Sequence, residues 1–221
     1  MPRRALIDRR PYLLLSLIFA ITYFFVMDGK VGGSWLALWK GAGIGLLAMY
    51  ALHRGFGRDG AMIAIVMAVC ALADVALEFS YLVGGVLFSL AHLVAINLFI
   101  TNRRRRLSGS QTTLAVILAL APGMIAALLS WPQQNWWLAT LYAALVGCLA
   151  ATAWTSRFPR YRVGIGAILH MASVLVIIGR EAADLTPDLA EWVIWPLYYT
   201  GQFLIALGVV QTLRKNAERH A

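Results

Sequence analysis

Apolar residues follow one another along this chain in runs of about 20, separated by short polar or basic segments. A helix needs about 20 mostly apolar residues to cross the hydrocarbon core of a bilayer. We therefore predict an all-α, polytopic membrane protein that forms a single transmembrane domain over residues 1–221. The eight predicted spans are residues 11–27, 35–53, 60–79, 82–101, 112–130, 136–156, 163–179 and 191–213.

The composition agrees with this prediction, because 61% of the 221 residues are hydrophobic and only 13% are charged. Soluble domains carry about 25% charged residues. The net charge of +9 comes from cations that fall almost entirely on one side of the eight spans. Because cytoplasmic loops carry the excess of Lys and Arg, we predict that both termini are cytoplasmic. This placement favours a topology signal over a partner nucleic acid, with contact between Arg103–Arg106 and anionic lipid headgroups as an additional role.

The chain shows no soluble-enzyme motif. It has no Walker loop, dinucleotide fingerprint, GxSxG or HExxH sequence, so we predict no cofactor and no metal. Cys70 and Cys148 lie inside spans without metal-ligand spacing, as small core residues do. The first span follows four arginines and lacks a convincing small-residue cleavage site, which predicts a retained helix.

Several polar side chains lie inside the predicted spans. Ionisable groups at membrane depth are costly, usually face the bundle interior and mark candidate functional positions. Asp74 and Glu78 stand one helical turn apart in the third span, and His92 lies in the fourth. The other candidates are Lys40 in the second span, His170 and Ser173 in the seventh, and Tyr198, Tyr199 and Gln202 in the eighth. At roughly 1.5 Å per residue, all of them lie between the midplane and the outer face, which predicts one polar pocket there.

Each candidate also has a structural interpretation. Asp74 could pair with Lys40 and hold the second and third spans together. Glu78 could be interfacial and solvated, and His92 could be a hydrogen-bonding residue of helix packing. His170 and Ser173 could likewise be core polar residues. The glycines expected to permit close helix approach are Gly84, Gly85, Gly164 and Gly166.

The third and fourth spans resemble the signature of the YhhN-like lysoplasmalogenases. The matching positions are Ala73-Asp74-Val75-Ala76-Leu77, Gly84 or Gly85, Phe88, Ala91 and His92, with Lys40, Tyr142, Gly166, Ser173, Tyr199 and Gln202 elsewhere. The resemblance covers nearly the whole chain. It implies an eight-span hydrolase of the bacterial inner membrane that cleaves the vinyl ether bond of lysoplasmalogens. The products would be a fatty aldehyde and a glycerophospho-alcohol.

One position departs from this family pattern. The seventh span of the family usually carries a Ser-Asp pair, whereas this chain has Ser173-Val174. Valine cannot transfer a proton, so a mechanism with two aspartates does not carry over intact. Glu78, His170 or Glu181 are candidates for the missing group.

Vinyl ether hydrolysis needs an acid that protonates a carbon and a group that orients water. Our hypothesis makes Asp74 the general acid, with His92 or Glu78 activating water. Lys40 or Tyr199 would bind phosphate or glycerol oxygens of a lysophospholipid substrate. The remaining substrate-binding candidates are His170, Ser173 and Gln202.

Three alternatives remain from the sequence. The absence of an acid at Val174 favours a catalytically diverged, lipid-binding member of the family. A proton-coupled transporter could use Asp74, Lys40 and His92 as a relay. An intramembrane aspartyl protease needs two facing aspartates and is disfavoured by Val174. The oligomeric state does not follow from the sequence.

Overall fold

A computed structural model describes residues 11–27, 32–131, 133–183 and 187–220, with side chains described for all of these except 183, 187–191 and 220. The helices are α1 (Pro11–Val26), α2 (Ser34–Arg54), α3 (Gly57–Leu77), α4 (Tyr81–Thr101), α5 (Gly109–Ser130), α6 (Trp136–Thr155), α7 (Ile165–Ala183) and α8 (Pro187–His220), with a π-helical turn, Arg160–Gly164, before α7. In this part of the chain, seven helices are long and apolar enough to cross a membrane, and α1, with 16 residues, is shorter. The predicted all-α fold of about eight helices is confirmed.

Several helices extend beyond their predicted spans by one to seven residues, and two of these extensions have a clear local cause. The side chain of Ser108 accepts a hydrogen bond from the backbone N–H of Gln111, and the Gln111 side chain accepts one from the Ser108 N–H. This capping box lets α5 begin at Gly109 rather than at residue 112. At the other end of the chain, Arg214 donates to Glu218 over 2.7 Å, one turn further along α8. Such a pair supports a polar helical extension beyond residue 213.

The described residues form two compact units, Met1–Ala91 with Leu213–Ala221, and His92–Thr212. The first unit contains α1 to α3, and the second contains α5 to α7 with the π-helical turn and most of α8. The single transmembrane domain and the cytoplasmic termini stay predictions.

Glycines allow close packing in both units. A Cβ added to Gly84 would lie 2.5 Å from the Leu77 side chain, and one added to Gly166 would lie 2.7 Å from the Gly201 carbonyl oxygen. Gly164 packs in the same way against the Trp154 ring. The prediction of close approach is therefore confirmed at these three positions. It is wrong for Gly85, where an added Cβ meets nothing within 4 Å among the described residues.

Candidate functional site

A lysine and two carboxyl groups meet in the first unit. Lys40 on α2 donates from Nζ to Oε1 of Glu78 at the end of α3, over 3.1 Å. The two side chains are 18% and 40% exposed. Asp74 lies one turn before Glu78, is 2% exposed and interacts electrostatically with Lys40, as does Tyr23 of α1. We call these four residues the Lys40 cluster.

Close packing of α2 on α3 accounts for the Lys40 cluster. A Cβ added to Gly41, the neighbour of Lys40, would lie 2.6 Å from Val75 Cγ2 and 3.0 Å from the Ala71 carbonyl oxygen. Glycine thus lets the two backbones approach next to Asp74. Lys40 and Glu78 thus form an ion pair between α2 and the end of α3. The structural alternative of a pair between Asp74 and Lys40 stays a prediction.

Two histidines meet in the second unit. His92 on α4 and His170 on α7 are 1% and 2% exposed, and their Nε2 atoms lie 2.8 Å apart. A hydrogen bond at this distance needs one protonated and one bare Nε2, so the two rings cannot both be doubly protonated. The bond therefore ties α4 to α7 and holds a proton between the two imidazoles.

Tyrosines from two further helices surround this pair. The Tyr142 ring on α6 lies 5.8 Å from the His92 ring, and the Tyr198 ring on α8 lies 5.5 Å from the His170 ring, measured between centroids. We call these four residues the histidine cluster. The Nδ1 atom of His170 is buried and has no hydrogen-bond partner among the described residues. A buried ring nitrogen of this kind is suited to bind a water molecule or a polar group of a ligand.

A close crossing of α7 and α8 positions His170. A Cβ added to Gly201 would lie 2.6 Å from the Gly166 carbonyl oxygen and 2.9 Å from the backbone nitrogen of His170. The two helices can approach to this distance only because neither Gly166 nor Gly201 carries a side chain. The histidine cluster therefore depends on glycines that lie outside it.

The remaining sequence candidates of the second unit, Ser173, Tyr199 and Gln202, are buried. Each lies within four residues of His170 or Tyr198 in the sequence. Ser173 donates to the His170 carbonyl oxygen over 2.6 Å, within its own helix, which agrees with its interpretation as a core polar residue. The Tyr199 ring stacks on Trp195 with centroids 5.8 Å apart. Gln202 is buried one turn after Tyr198.

Val174 lies in an apolar environment. It packs in a buried cluster with residues of α5, α6 and α7, which we call the Val174 cluster: Ala126, Ala143, Val146, Val174 and Ile178. Tyr142 packs against this group. Glu181, a candidate for the missing acid, is exposed and accepts hydrogen bonds from Arg180, the shorter over 2.8 Å. Val174 therefore has apolar neighbours, and Glu181 is paired with Arg180.

Sequence reasoning missed the partners within each cluster. It named Lys40, Asp74, Glu78, His92 and His170, but not the bond between the histidines or the Lys40–Glu78 pair. The bond between His92 and His170 had one signal in the sequence, which is the presence of two histidines inside otherwise apolar spans. No group of three or more metal-binding side chains occurs among the residues that the structure describes. The shared pocket and the catalytic roles stay predictions.

Membrane-length helices that carry buried ionisable residues define a multi-pass membrane protein. The chain belongs to the YhhN family, whose model matches residues 35–209. This range includes the whole histidine cluster and every residue of the Lys40 cluster except Tyr23. The predicted family resemblance is thus confirmed. No curated protein and no solved structure matches the chain.

Proposed function

We propose that the protein is a lysoplasmalogenase-like hydrolase of the bacterial inner membrane. Its substrate would be a lysophospholipid with a vinyl ether bond, and its products a fatty aldehyde and a glycerophospho-alcohol. The observation that carries this proposal is the family match over residues 35–209, within a multi-pass membrane protein. A lysolipid suits such a protein because its chain can lie among the helices while its headgroup stays near the interface.

The reaction consumes one water molecule. The proton that the acid donates is replaced by one that the attacking water releases. An acid donates a proton to the vinyl carbon that is not bonded to oxygen, and the ether oxygen shares an electron pair to give an oxocarbenium ion. Water adds to the cationic carbon and loses a proton, which forms a hemiacetal. The hemiacetal then breaks its bond to the glycerol oxygen, giving the aldehyde and the alcohol. The protein must therefore supply one acid and one group that accepts a proton from water.

The Lys40 cluster supports Asp74 as the acid. The cluster contains one ammonium and two carboxyl groups, so it is neutral when one carboxyl holds a proton. Glu78 is partly exposed and bonded to Lys40, whereas Asp74 is almost fully buried. Because a buried net charge is costly, we assign the proton to Asp74.

The histidine cluster supports a role in handling the second proton. His92 would accept the proton from the attacking water, and the bond to His170 offers that proton a second imidazole. Glu78 remains the alternative base. Lys40 or Tyr199 would bind headgroup oxygens, with Gln202 as a further polar contact.

The test is aldehyde release from lysoplasmenylethanolamine by the purified full-length protein in detergent or liposomes. We expect release by the wild type and a loss of at least about 100-fold in Asp74→Asn, the scale of general acid catalysis. Asp59→Asn is the matched control, since Asp59 lies in the first turn of the same helix. Thermal denaturation of each variant checks that folding is retained.

The outcomes separate the proposals. Equal rates for wild type and Asp74→Asn would remove Asp74 from the mechanism. No release by wild type would contradict the hydrolase assignment. The Val174 cluster favours one second candidate, a lipid-binding member without activity, because it is apolar where the family resemblance implies an acid. Saturable binding of the lysolipid without aldehyde release would support that candidate.

A further inference from the structure

The loop after α4 is joined to the loop after α6 by backbone hydrogen bonds. The N–H of Arg104 donates to the Thr155 carbonyl oxygen over 3.1 Å, and the N–H of Arg157 donates to the Asn102 carbonyl oxygen over 2.8 Å. Both loops lie within the second unit. Two basic loops that carry like charges are therefore held side by side.

Two guanidinium groups in these loops are held by neutral partners. Arg104 donates from Nε to the Ser156 carbonyl oxygen over 2.8 Å and from Nη2 to the Phe158 carbonyl oxygen over 3.1 Å. Arg157 donates from Nε to Oδ1 of Asn102 over 2.7 Å. These acceptors orient the side chains without neutralising their charge, and each guanidinium retains N–H groups for a further acceptor.

A third guanidinium, that of Arg160, lies over the Trp154 ring, 5.6 Å from its centroid. The ring is packed against Gly164, where an added Cβ would lie 2.7 Å from a ring atom. Both Nε of Arg160 and Nε1 of Trp154 are buried and have no hydrogen-bond partner among the described residues. Both atoms are donors, so the partner that each of them lacks is an acceptor.

Among the described residues, no salt bridge joins an acidic side chain to Arg104, Arg157 or Arg160. No Asp or Glu occurs anywhere between residues 79 and 180. The next acid, Glu181, pairs with Arg180 near the far end of α7. Burial, together with the positive charge of Arg160, lowers the pKa of the Arg104 guanidinium. The two cations therefore act on each other, and a bound anion would relieve their repulsion.

We propose that Arg104, Arg157 and Arg160, with Trp154, form a binding site for the phosphate group of an anionic phospholipid. Guanidinium groups match phosphate oxygens in geometry and charge. The site lies where α4 and α6 end, and both helices are long enough to span the membrane, so it falls at headgroup depth. Tyr161, beside Arg160 in the chain, is 77% exposed, as expected of an aromatic residue at the interface. This arginine site stands independently of the proposed hydrolase activity.

The test compares two variants that lose the same charge. Arg157→Gln/Arg160→Gln removes two members of the site and keeps the Arg104 side chain that binds two carbonyl groups. Lys215→Gln/Arg219→Gln is the matched control, since it removes two exposed cations near the end of α8 that are not members of the site. Each full-length protein is purified in detergent and titrated with phosphatidylglycerol, phosphatidylcholine or inorganic phosphate. Native mass spectrometry measures bound lipid, and melting measures the ligand-dependent stabilisation within each variant.

We expect the wild type and the Lys215/Arg219 control to bind phosphatidylglycerol and be stabilised by it. Affinity should fall at least about tenfold in the Arg157/Arg160 variant, the scale of a lost charge-assisted hydrogen bond. Equal losses in both variants would overturn the site and leave a diffuse charge effect. Equal binding of phosphatidylcholine would also overturn it. Stabilisation by inorganic phosphate as large as that by phosphatidylglycerol would overturn the lipid assignment in favour of a soluble phosphate.

Discussion

The crossing of α7 and α8 makes a specific prediction for Gly201→Ala. The added Cβ would lie 2.6 Å from the Gly166 carbonyl oxygen, 2.9 Å from the His170 nitrogen and 3.2 Å from His170 Cβ. The two closest neighbours are backbone atoms, which cannot rotate away as a flexible side chain can. Ordinary contact begins at 3.4 Å, so moving from 2.6 Å to 3.4 Å requires the helices to separate by about 0.8 Å.

This separation should destabilise the second unit. Overpacking a well-packed contact costs about 1–3 kcal/mol, and we expect Gly201→Ala to lower the free energy of unfolding by this amount. The loss should appear although alanine is intrinsically the better helix former by about 1 kcal/mol. For a chain of this size, each kcal/mol corresponds to roughly 2–4 °C in melting temperature.

Gly85→Ala provides the matched control. Gly85 also lies inside a long helix, but its added Cβ meets nothing within 4 Å among the described residues. We expect this variant to be as stable as the wild type or more stable, by up to about 1 kcal/mol. Thermal denaturation of the purified proteins in one detergent, at one heating rate, measures both. Equal melting temperatures for Gly201→Ala and Gly85→Ala would refute the close crossing of α7 and α8.

Two further predictions concern buried side chains, and thermal denaturation checks both. In a double-mutant cycle of His92→Phe and His170→Phe, each single variant removes one partner of the Nε2–Nε2 hydrogen bond, so we expect a coupling energy of about 1–3 kcal/mol. Additive effects would contradict the hydrogen bond. Val174→Asp places a carboxyl group in the Val174 cluster and should cost at least about 2 kcal/mol, more than the similarly shaped Val174→Thr. Full stability of Val174→Asp would contradict the apolar environment.

Much of the helical architecture could be predicted from the sequence because it depends on local properties. Each run of about 20 apolar residues is long enough to span a bilayer, and its backbone groups must then bond within the helix. The helix ends also follow local chemistry, as the capping box at Ser108 shows. The family resemblance rested on residue types in order along the chain, and the match over residues 35–209 confirmed it.

The candidate site could be predicted only in part. Asp74, His92 and His170 were recognisable because polar residues inside apolar spans stand out. Their partners were not recognisable. His92 and His170 are 78 positions apart, and Lys40 and Glu78 are 38 apart. No local pattern reports the rotation of each helix about its axis, which decides these contacts.

The order of residue types along the chain was thus enough to predict an all-α fold of about eight helices, the family and several of the buried polar residues. Helix packing was needed to show that Lys40 bonds to Glu78, that His92 bonds to His170 and that Val174 has apolar neighbours. The physical reason is that helices apolar on nearly every side give little indication of which face turns inward. In the packed structure, the inward face of each helix includes glycines such as Gly41 and Gly201, which allow close contact with a neighbouring helix. These contacts join residues far apart in the sequence, so no local pattern indicates them.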